Sequence, residues 1–445
     1  MNDTWNKLEA NIIKPGLCTQ CGTCAGLSRG AIAFSEKKGI PIPTLINNTA
    51  DIPEEAYSAC PAKTCLYPQL NDFVFGKQEY SYLCGIVEKS YIGHTTDEKV
   101  RRNAASGGVL SALLIYLLEQ KIINGAVCLQ VGAKLPHKAE PIIARTKDEI
   151  LKCAQSVYSV TSTNTILEQL EKEEGPLAYI GLPDQVASIR KLQMMNHPSV
   201  RSIKYVFGPY MGTQMYFGAI QHFLKSNGIK SENEIADLKY RAGEWPGYLQ
   251  IKLKDGRVIK SEKFHYNYLI PFFITSSSLQ LVDFTNELAD ISVGDAWSPK
   301  YENIKGGHSV VLARSEQGET LLRQMQEGGL LELKEIPISE AMDMHGHMID
   351  FKKRGAFIRN KWKKIQPDYG YEPVHIPLPR IAVEWCLRFV FAIGKIKFVR
   401  VVVRYIPIGI IGPVFNTLRK GWKSVSKPTK RKGLRETQYK LTSHL

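Results

Sequence analysis

Cys18, Cys21 and Cys24 stand in the string CTQCGTC, and Cys60 follows thirty-six residues later in SACPAKTC with a proline directly behind it. Three closely spaced thiolates can wrap one face of an iron–sulfur cubane, and a distant Cys-Pro can supply the fourth corner. The spacing therefore predicts a 4Fe-4S cluster and electron transfer. Gly22 and Gly26 are expected to let backbone amides approach the sulfurs, where hydrogen bonds raise the reduction potential. Four thiolates also suit a structural zinc, although zinc sites usually pair two C-x2-C knuckles rather than three cysteines plus one. A two-cluster arrangement would need a further cysteine where Ser28 stands, so one cluster is expected. Cys65 reads as a spare ligand or a structural cysteine, and Cys84, Cys128, Cys153 and Cys386 as single core or tail residues.

A second chemical feature is the loop RNAASGG ahead of VLSALLIYLLEQ, whose apolar residues recur at helical spacing. Ser106, Gly107 and Gly108 would then open a helix. Glycines there let backbone N–H groups reach an anion, and a helix N-terminus favours negative charge. The bland alternative is a tight turn.

The elements that must position these residues follow the fold class α/β. Residues 1–76, rich in Cys, Gly and Pro, suit a small ferredoxin-like iron–sulfur domain with short strands at Ala31 to Phe34 and Ile40 to Leu45. Residues 77–200 and 201–370 read as the two parts of a mixed α/β domain. GAVCLQVG and LAYIGLP are buried strands, separated by DEILKCAQSVYSVTSTNTILEQLEKE, which reads as mostly helical. YLQIKLKDGRVIK is a hairpin turning at Asp255-Gly256, and ADISVGDAW and SVVLARS are further strands. The compact part is expected to end in QPDYGYEPVHIPLPR, leaving residues 380–445 as a basic helical tail.

A chain of 445 residues with 44% hydrophobic composition can bury a substantial core. Its formal charge of +15 is concentrated: Arg380 onward carries fifteen Lys and Arg against Glu384 and Glu436, leaving only +2 for the rest. No base-reading motif accompanies that charge, so no specific nucleic acid is expected. The first ten residues lack a secretory pattern and no tract reaches the roughly 18 apolar residues of a membrane span. A cytoplasmic chain, peripheral on the inner face of the membrane, is the expectation. Residues 381–418 alternate apolar blocks with Lys and Arg, as two short amphipathic helices switching near Gly394 would, and an anionic membrane surface met through residues 381–435 is the expectation. A helical cap on the enzyme or on a partner subunit is the alternative. The closing KPTKRKGLR reads as a disordered basic segment.

The ordered set CTQCGTC, ACPAKTC, ASGGVLSALLIYLLEQKIINGAV, GLPDQVASIRKL, YRAGEWPG and DFTNELADISVGDAW with GGHSVVLAR resembles the iron–sulfur flavoproteins related to the beta subunit of coenzyme F-420 hydrogenases and dehydrogenases. The similarity spans residues 15 to about 335. It implies an iron–sulfur flavoprotein reductase with FAD, fed by ferredoxin or a reduced deazaflavin and passing electrons to an organic substrate, for which the basic tail alone suggests a membrane- or saccharide-associated molecule. The alternatives are an electron-transfer subunit of a hydrogenase-like complex, or a membrane-docked protein that has lost flavin chemistry. It places Ser106, Gly107 and Gly108 on the FAD pyrophosphate, and Arg241, Gly243, Trp245, Asp295 and Trp297 around the flavin or substrate, where the tryptophans could equally be core residues. His94, Asp184, His265, Asp295 and His308 are the acid–base candidates, because hydride delivery needs a nearby proton donor. Asp184 and His308 lead, the latter because flanking glycines suggest an accessible loop. Many relatives carry cysteines in place of Asp184, near Tyr210 and Met211, and near Ser278 and Leu281. Their replacement here implies that an inner cluster has been lost.

Overall fold

The computed structural model describes residues 3–37, 39–77, 80–262 and 265–442. The cysteine-rich start carries α1 (Thr23–Leu27), the antiparallel hairpin β1 (Ile32–Lys37) and β2 (Ile40–Leu45), and the single turn α2 (Glu55–Ser58) that delivers Cys60. Then β3 (Lys89–Thr95) enters a large sheet. The helix α3 (Val109–Glu119) starts just after the glycines, with Gly108 at its N-cap, as the apolar periodicity requires. Next come β4 (Gly125–Val131), β5 (Ala139–Ala144), β6 (Leu177–Ile180), α4 (Pro183–Met194) and β7 (Ile203–Pro209).

A separate antiparallel sheet of β8 (Ile235–Ala242), β9 (Tyr248–Leu253) and β10 (Val258–Glu262) contains the expected hairpin, with Gly256 at a φ of 89° that only glycine tolerates easily. The chain returns to the first sheet through β11 (Ile291–Asp295), β12 (Ser309–Ala313) and β13 (Leu331–Glu335).

The large sheet runs β13-β3-β12-β11-β7-β6-β4-β5. Its centre, β4-β6-β7-β11, is parallel and its flanks are antiparallel. Parallel strands are covered on both faces and therefore read as unbroken apolar runs. In β6, Leu177 and Tyr179 pack with Val186 and Ile189 of α4, whereas Ala178 packs with Leu113 and Leu117 of α3. The first of these cores also contains Leu27, Ala59 and Tyr67. The cysteine-rich segment thus shares a core with the sheet.

Between Asp148 and Glu173 helix is confined to short pieces, Lys147–Lys152, Thr163–Ile166 and Leu167–Leu170, which corrects the mostly helical reading. The run SVYSVTST is β-branched and hydroxyl-rich, so its helix propensity is poor. Ser159 instead bridges to Met215.

The C-terminal expectations also change. After α5 (Ile338–Lys353) and α6 (Gly355–Lys361), β14 (Tyr371–Pro373) is not the end of the compact part, because it pairs with β15 (Tyr439–Leu441). Between these strands lie α7 (Leu378–Lys395), α8 (Lys397–Arg404) and α9 (Ile408–Arg431). The break expected near Gly394 falls at Ile396. The segment KPTKRKGLR is ordered: Arg354 donates to the carbonyls of Lys430 (2.5 Å) and Lys432 (3.1 Å), and Leu434 is buried. A buried charge network ties α7 to the body. Asp350 accepts from Arg354 and Arg380, and Glu384 accepts from Arg359 and Arg380, all at 2.6–2.8 Å. Among the described residues no helix is long and apolar enough to cross a membrane.

Candidate redox site

Cys18 lies in the loop before α1, Cys21 at its entry and Cys24 within it, while Cys60 follows α2. All four line one buried hollow, walled otherwise by Leu8, Ile12, Phe34 and Pro43. Burial pushes the Cys60 thiol up to about 12 and raises those of Cys18, Cys21 and Cys24 as well. Unligated, these thiols keep their protons, and loading with metal must release them. Among the described residues no three His, Cys, Asp or Glu side chains form a group that could hold a single metal ion.

Gly22 and Gly26 serve packing. A Cβ on Gly26 would sit 2.1 Å from the Asn164 carbonyl oxygen, and one on Gly22 would meet Ser162 and Thr165 at 2.8 Å. Asn164 in turn donates from its backbone to the Cys21 carbonyl (3.0 Å) and from its side chain to Thr23 (3.0 Å). The 162–166 segment clamps the cysteine loop, a role its sequence does not announce.

The helix α4 turns Asp184, Ser188 and Lys191 toward the same region, a spacing that keeps one helix face in register. Ser188 donates to the Ala59 carbonyl at 3.1 Å, and Lys191 donates to the carbonyls of Cys60 (3.0 Å) and Thr64 (2.9 Å). Asp184 is 4% exposed, and burial raises its carboxyl to about 6. Sequence reasoning paired Asp184 with His308, but the carboxyl stands among the cysteines. Lys191 was missed, although its place seven residues after Asp184 is a readable signal. Cys65 is buried, its N–H bound to the Asp368 carbonyl, and is not part of the hollow's wall. Cys128 and Cys153, read as lone residues, interact with one another, and Cys386 is exposed on α7.

Met211 and Ser278, two of the positions where the resemblance implies inner cysteines, meet a buried cation. Lys352 is fully buried, donates to the Ser278 carbonyl (2.7 Å), and lies 3.9 Å from the Met211 sulfur. Burial pulls its ammonium down to about 7, with Asp283 and Asp184 opposing that fall. Tyr210 packs on Gly294, Phe284 and His345, and Leu281 is buried.

The remaining candidates gather at the far ends of β3, β11 and β12. Ser106 donates to the His308 carbonyl at 2.6 Å, and a Cβ on Gly107 would meet the Gly93 carbonyl at 2.6 Å. The loop glycines are therefore needed for close packing on the sheet. His308 is half-buried between the rings of His94 (5.0 Å) and Tyr301 (5.3 Å), which corrects the accessible-loop reading. Burial lowers it to about 4, with His94 and Arg101 adding to the fall. Arg101, unremarked in the sequence, donates to the Gly307 carbonyl at 2.9 Å. Gly307 faces the Trp245 ring, which stacks on Trp297 at 4.7 Å. Arg241 lies over Trp245 and binds Asp295 at 2.7 Å. Burial works against the Arg241 charge, but Asp295 outweighs it. Gly243 packs against Tyr248, and His265 lies apart, against α9 at Gly412. Three buried nitrogens in this neighbourhood have no hydrogen-bond partner among the described residues: Arg101 Nε, Arg241 Nη2 and His308 Nδ1.

His345 closes the underside, donating from Nε2 to the Asp295 carbonyl at 2.8 Å. Burial lowers its pKa to about 4 from an ordinary 6.5. It then binds fewer protons folded than unfolded, so its contribution to stability is whole above pH 6.5 and drains as the pH falls toward 4. The loss should approach about 3 kcal/mol. In denaturant titrations across that range, His345→Phe is expected to show a shallower decline than the native chain. An unchanged slope would remove His345 from the account.

Comparison with known proteins finds two family models, both for the beta subunit of "Coenzyme F420 hydrogenase/dehydrogenase". The model of its N-terminal part matches residues 90–168, and the model of its C-terminal part matches residues 175–338. The four cysteines precede both models, and α7 to α9 follow them. The coenzyme F420 hydrogenase subunit beta of Methanococcus voltae is 30% identical over 247 residues, 54% of this chain and 82% of that protein. A coenzyme F420-dependent sulfite reductase of Methanocaldococcus jannaschii is 25% identical over 338 residues, 72% of this chain and 48% of its own. Among solved structures, a chain of the F420-reducing [NiFe] hydrogenase complex from Methanosarcina barkeri superposes with a TM-score of 0.51 at 19% identity. The match covers 65% of this chain and 98% of that one, a likeness of fold.

Proposed function

The chain belongs to the family of coenzyme F420 hydrogenase and dehydrogenase beta subunits, and on that footing we propose that it is an iron–sulfur oxidoreductase whose Cys18, Cys21, Cys24 and Cys60 hold one 4Fe-4S cluster. The observation that carries this reading is the convergence of those four thiols, from two separate segments, on a single buried hollow. Bound there, the cluster would supply one-electron chemistry. The chain's own part is to exclude water with Leu8, Ile12 and Phe34 and to place the Lys191 ammonium beside the thiolate charge. A cation at that position favours the more negative, reduced state. In the loaded protein, Lys191→Met is expected to lower the reduction potential by on the order of 50 mV, about 1 kcal/mol of Coulomb energy. A potential titration followed by electron paramagnetic resonance measures it.

FAD fits the second neighbourhood, because three buried nitrogens without partners, on Arg101, Arg241 and His308, are what an anionic pyrophosphate would satisfy. Flavin there would link one-electron and hydride chemistry. Asp295 fixes Arg241, Trp245 and Trp297 form an aromatic wall, and His308, kept neutral by burial, can donate from Nδ1 to a pyrophosphate oxygen. The acceptor is then an organic substrate. A second reading, an electron-transfer subunit without its own organic substrate, is favoured by relatives that are named as subunits. Its mark would be copurification of a hydrogenase- or dehydrogenase-like partner. The test of the whole proposal is the cofactor content of anaerobically purified protein. Iron and sulfide at cluster stoichiometry with flavin absorbance are expected, and a colourless protein holding one zinc would overturn it.

A further inference from the structure

The helices α7, α8 and α9 leave large apolar side chains facing outward, even though α8 and α9 also pack Val403, Ile408, Ile411 and Phe415 onto the core beneath them. A helix lying on a protein normally buries its apolar stripe and shows water its charges. In α7 the buried face instead holds Arg380, Glu384 and Gly394, the last pressed on the Pro271 carbonyl, while Trp385 and Phe389 face outward. In α8, Arg400 reaches inward to the carbonyls of Gly394 and Phe272, and Phe398 stands out at 73% exposure. In α9, Gly412 packs on His265, whereas Ile410 and Leu418 are exposed, the latter at 67%. Of the 23 exposed large apolar side chains among the described residues, fifteen lie from Val374 onward. Such a concentration marks a surface that something apolar covers.

Charge identifies the cover. From Trp385 to Arg435 the chain carries thirteen Lys and Arg and not one Asp or Glu. Lys395, Lys397, Lys420 and Lys427 are exposed among the apolar residues, and Arg388 lies over the paired rings of Trp362 and Trp385. Apolar side chains interleaved with cations and no acids match the boundary between acyl chains and anionic headgroups. We infer that the outward face of α7 to α9 docks this protein on an anionic phospholipid surface, lying in the interface.

The experiment is flotation of the full-length protein with phosphatidylcholine vesicles, with and without phosphatidylglycerol. The protein should float with the anionic vesicles and remain below with the neutral ones. Phe389→Asp and Leu418→Asp should each weaken binding roughly ten-fold or more, the worth of one buried large side chain. Lys420→Glu and Lys427→Glu should cost about five-fold or more each and flatten the salt dependence. All four residues are exposed, so thermal midpoints should be unchanged and lost flotation is lost binding. Three results would overturn the inference. One is a monomer that floats with neither vesicle. Another is a dimer that Phe389→Asp dissociates, which would make a second copy the cover. The last is flotation abolished by salt yet indifferent to Phe389→Asp.

Discussion

Cys18→Ala and Cys60→Ala are each expected to strip anaerobically purified protein of most of its iron and sulfide together, while Asp184→Ala retains both. Each thiolate anchors one iron of a cubane, and Cys18 and Cys60 come from separate segments that meet at the hollow. Burial holds the unligated thiols protonated, so a three-thiolate remnant gains little from the protein and exchanges its iron readily. Asp184 lies close enough to help raise the Cys21 thiol, but its carboxyl adds negative charge where four thiolates already stand. Its removal should therefore leave cluster content unchanged. Iron and acid-labile sulfide assays on the three variants, with circular dichroism to confirm folding, decide the matter. Cys65→Ala is the control that gives the experiment its edge. Cys65 lies five residues after Cys60 and outside the hollow's wall, so it should keep its iron. If Cys65→Ala loses iron and Cys60→Ala does not, the fourth ligand has been misassigned.

Glu384→Ala is expected to destabilise the chain by about 3–5 kcal/mol, the usual consequence of deleting one member of a buried ion network. Glu384 is 0% exposed and accepts from Arg359 and Arg380 at 2.7 Å each. Without it, two guanidiniums remain in the interior with only Asp350 to share, and Asp350 already serves Arg354. The network is also the seam between α7 and the body. Its loss should let α8 and α9 unfold locally, so that trypsin cleaves at their cations before global unfolding. Asp343→Ala is the comparison. That residue pairs with Arg435 at 2.6 Å, but both side chains are more than half exposed, so the change should stay within about 1 kcal/mol. Denaturant midpoints and limited proteolysis measure both. Equal effects from the two variants would show that burial does not set the network's worth.

Local chemistry was legible wherever a residue's neighbours along the chain decide its conformation. The Asp255-Gly256 turn, the helix after Gly108 and the apolar runs of β4, β6, β11 and β12 follow from short-range rules and appear as read. The stretch from Ala154 to Ser162 was misread because its helical rhythm is weak and the pairing of Ser159 with Met215 is non-local. Arg101, Lys191 and Lys352 escaped for a related reason. A lysine or arginine normally stays in water, and only the closed fold shows that these three are drawn in by carbonyls far away in sequence.

The C-terminal third shows the same division. Composition alone determined that residues from Arg380 onward carry nearly all of the net charge, and spacing alone singled out the four-cysteine set as a candidate. Tertiary structure decided which face of each terminal helix is buried, and in α7 it chose the charged one. A helix buries whichever face finds partners, and Arg380 and Glu384 find theirs on α5 and α6, residues that no local pattern connects to them. It likewise decided that Asp184 keeps company with the cysteines while His308 sits with Ser106 and Arg101. Which side chains share a site depends on how a sheet of mixed direction is threaded, and that is a property of the whole chain.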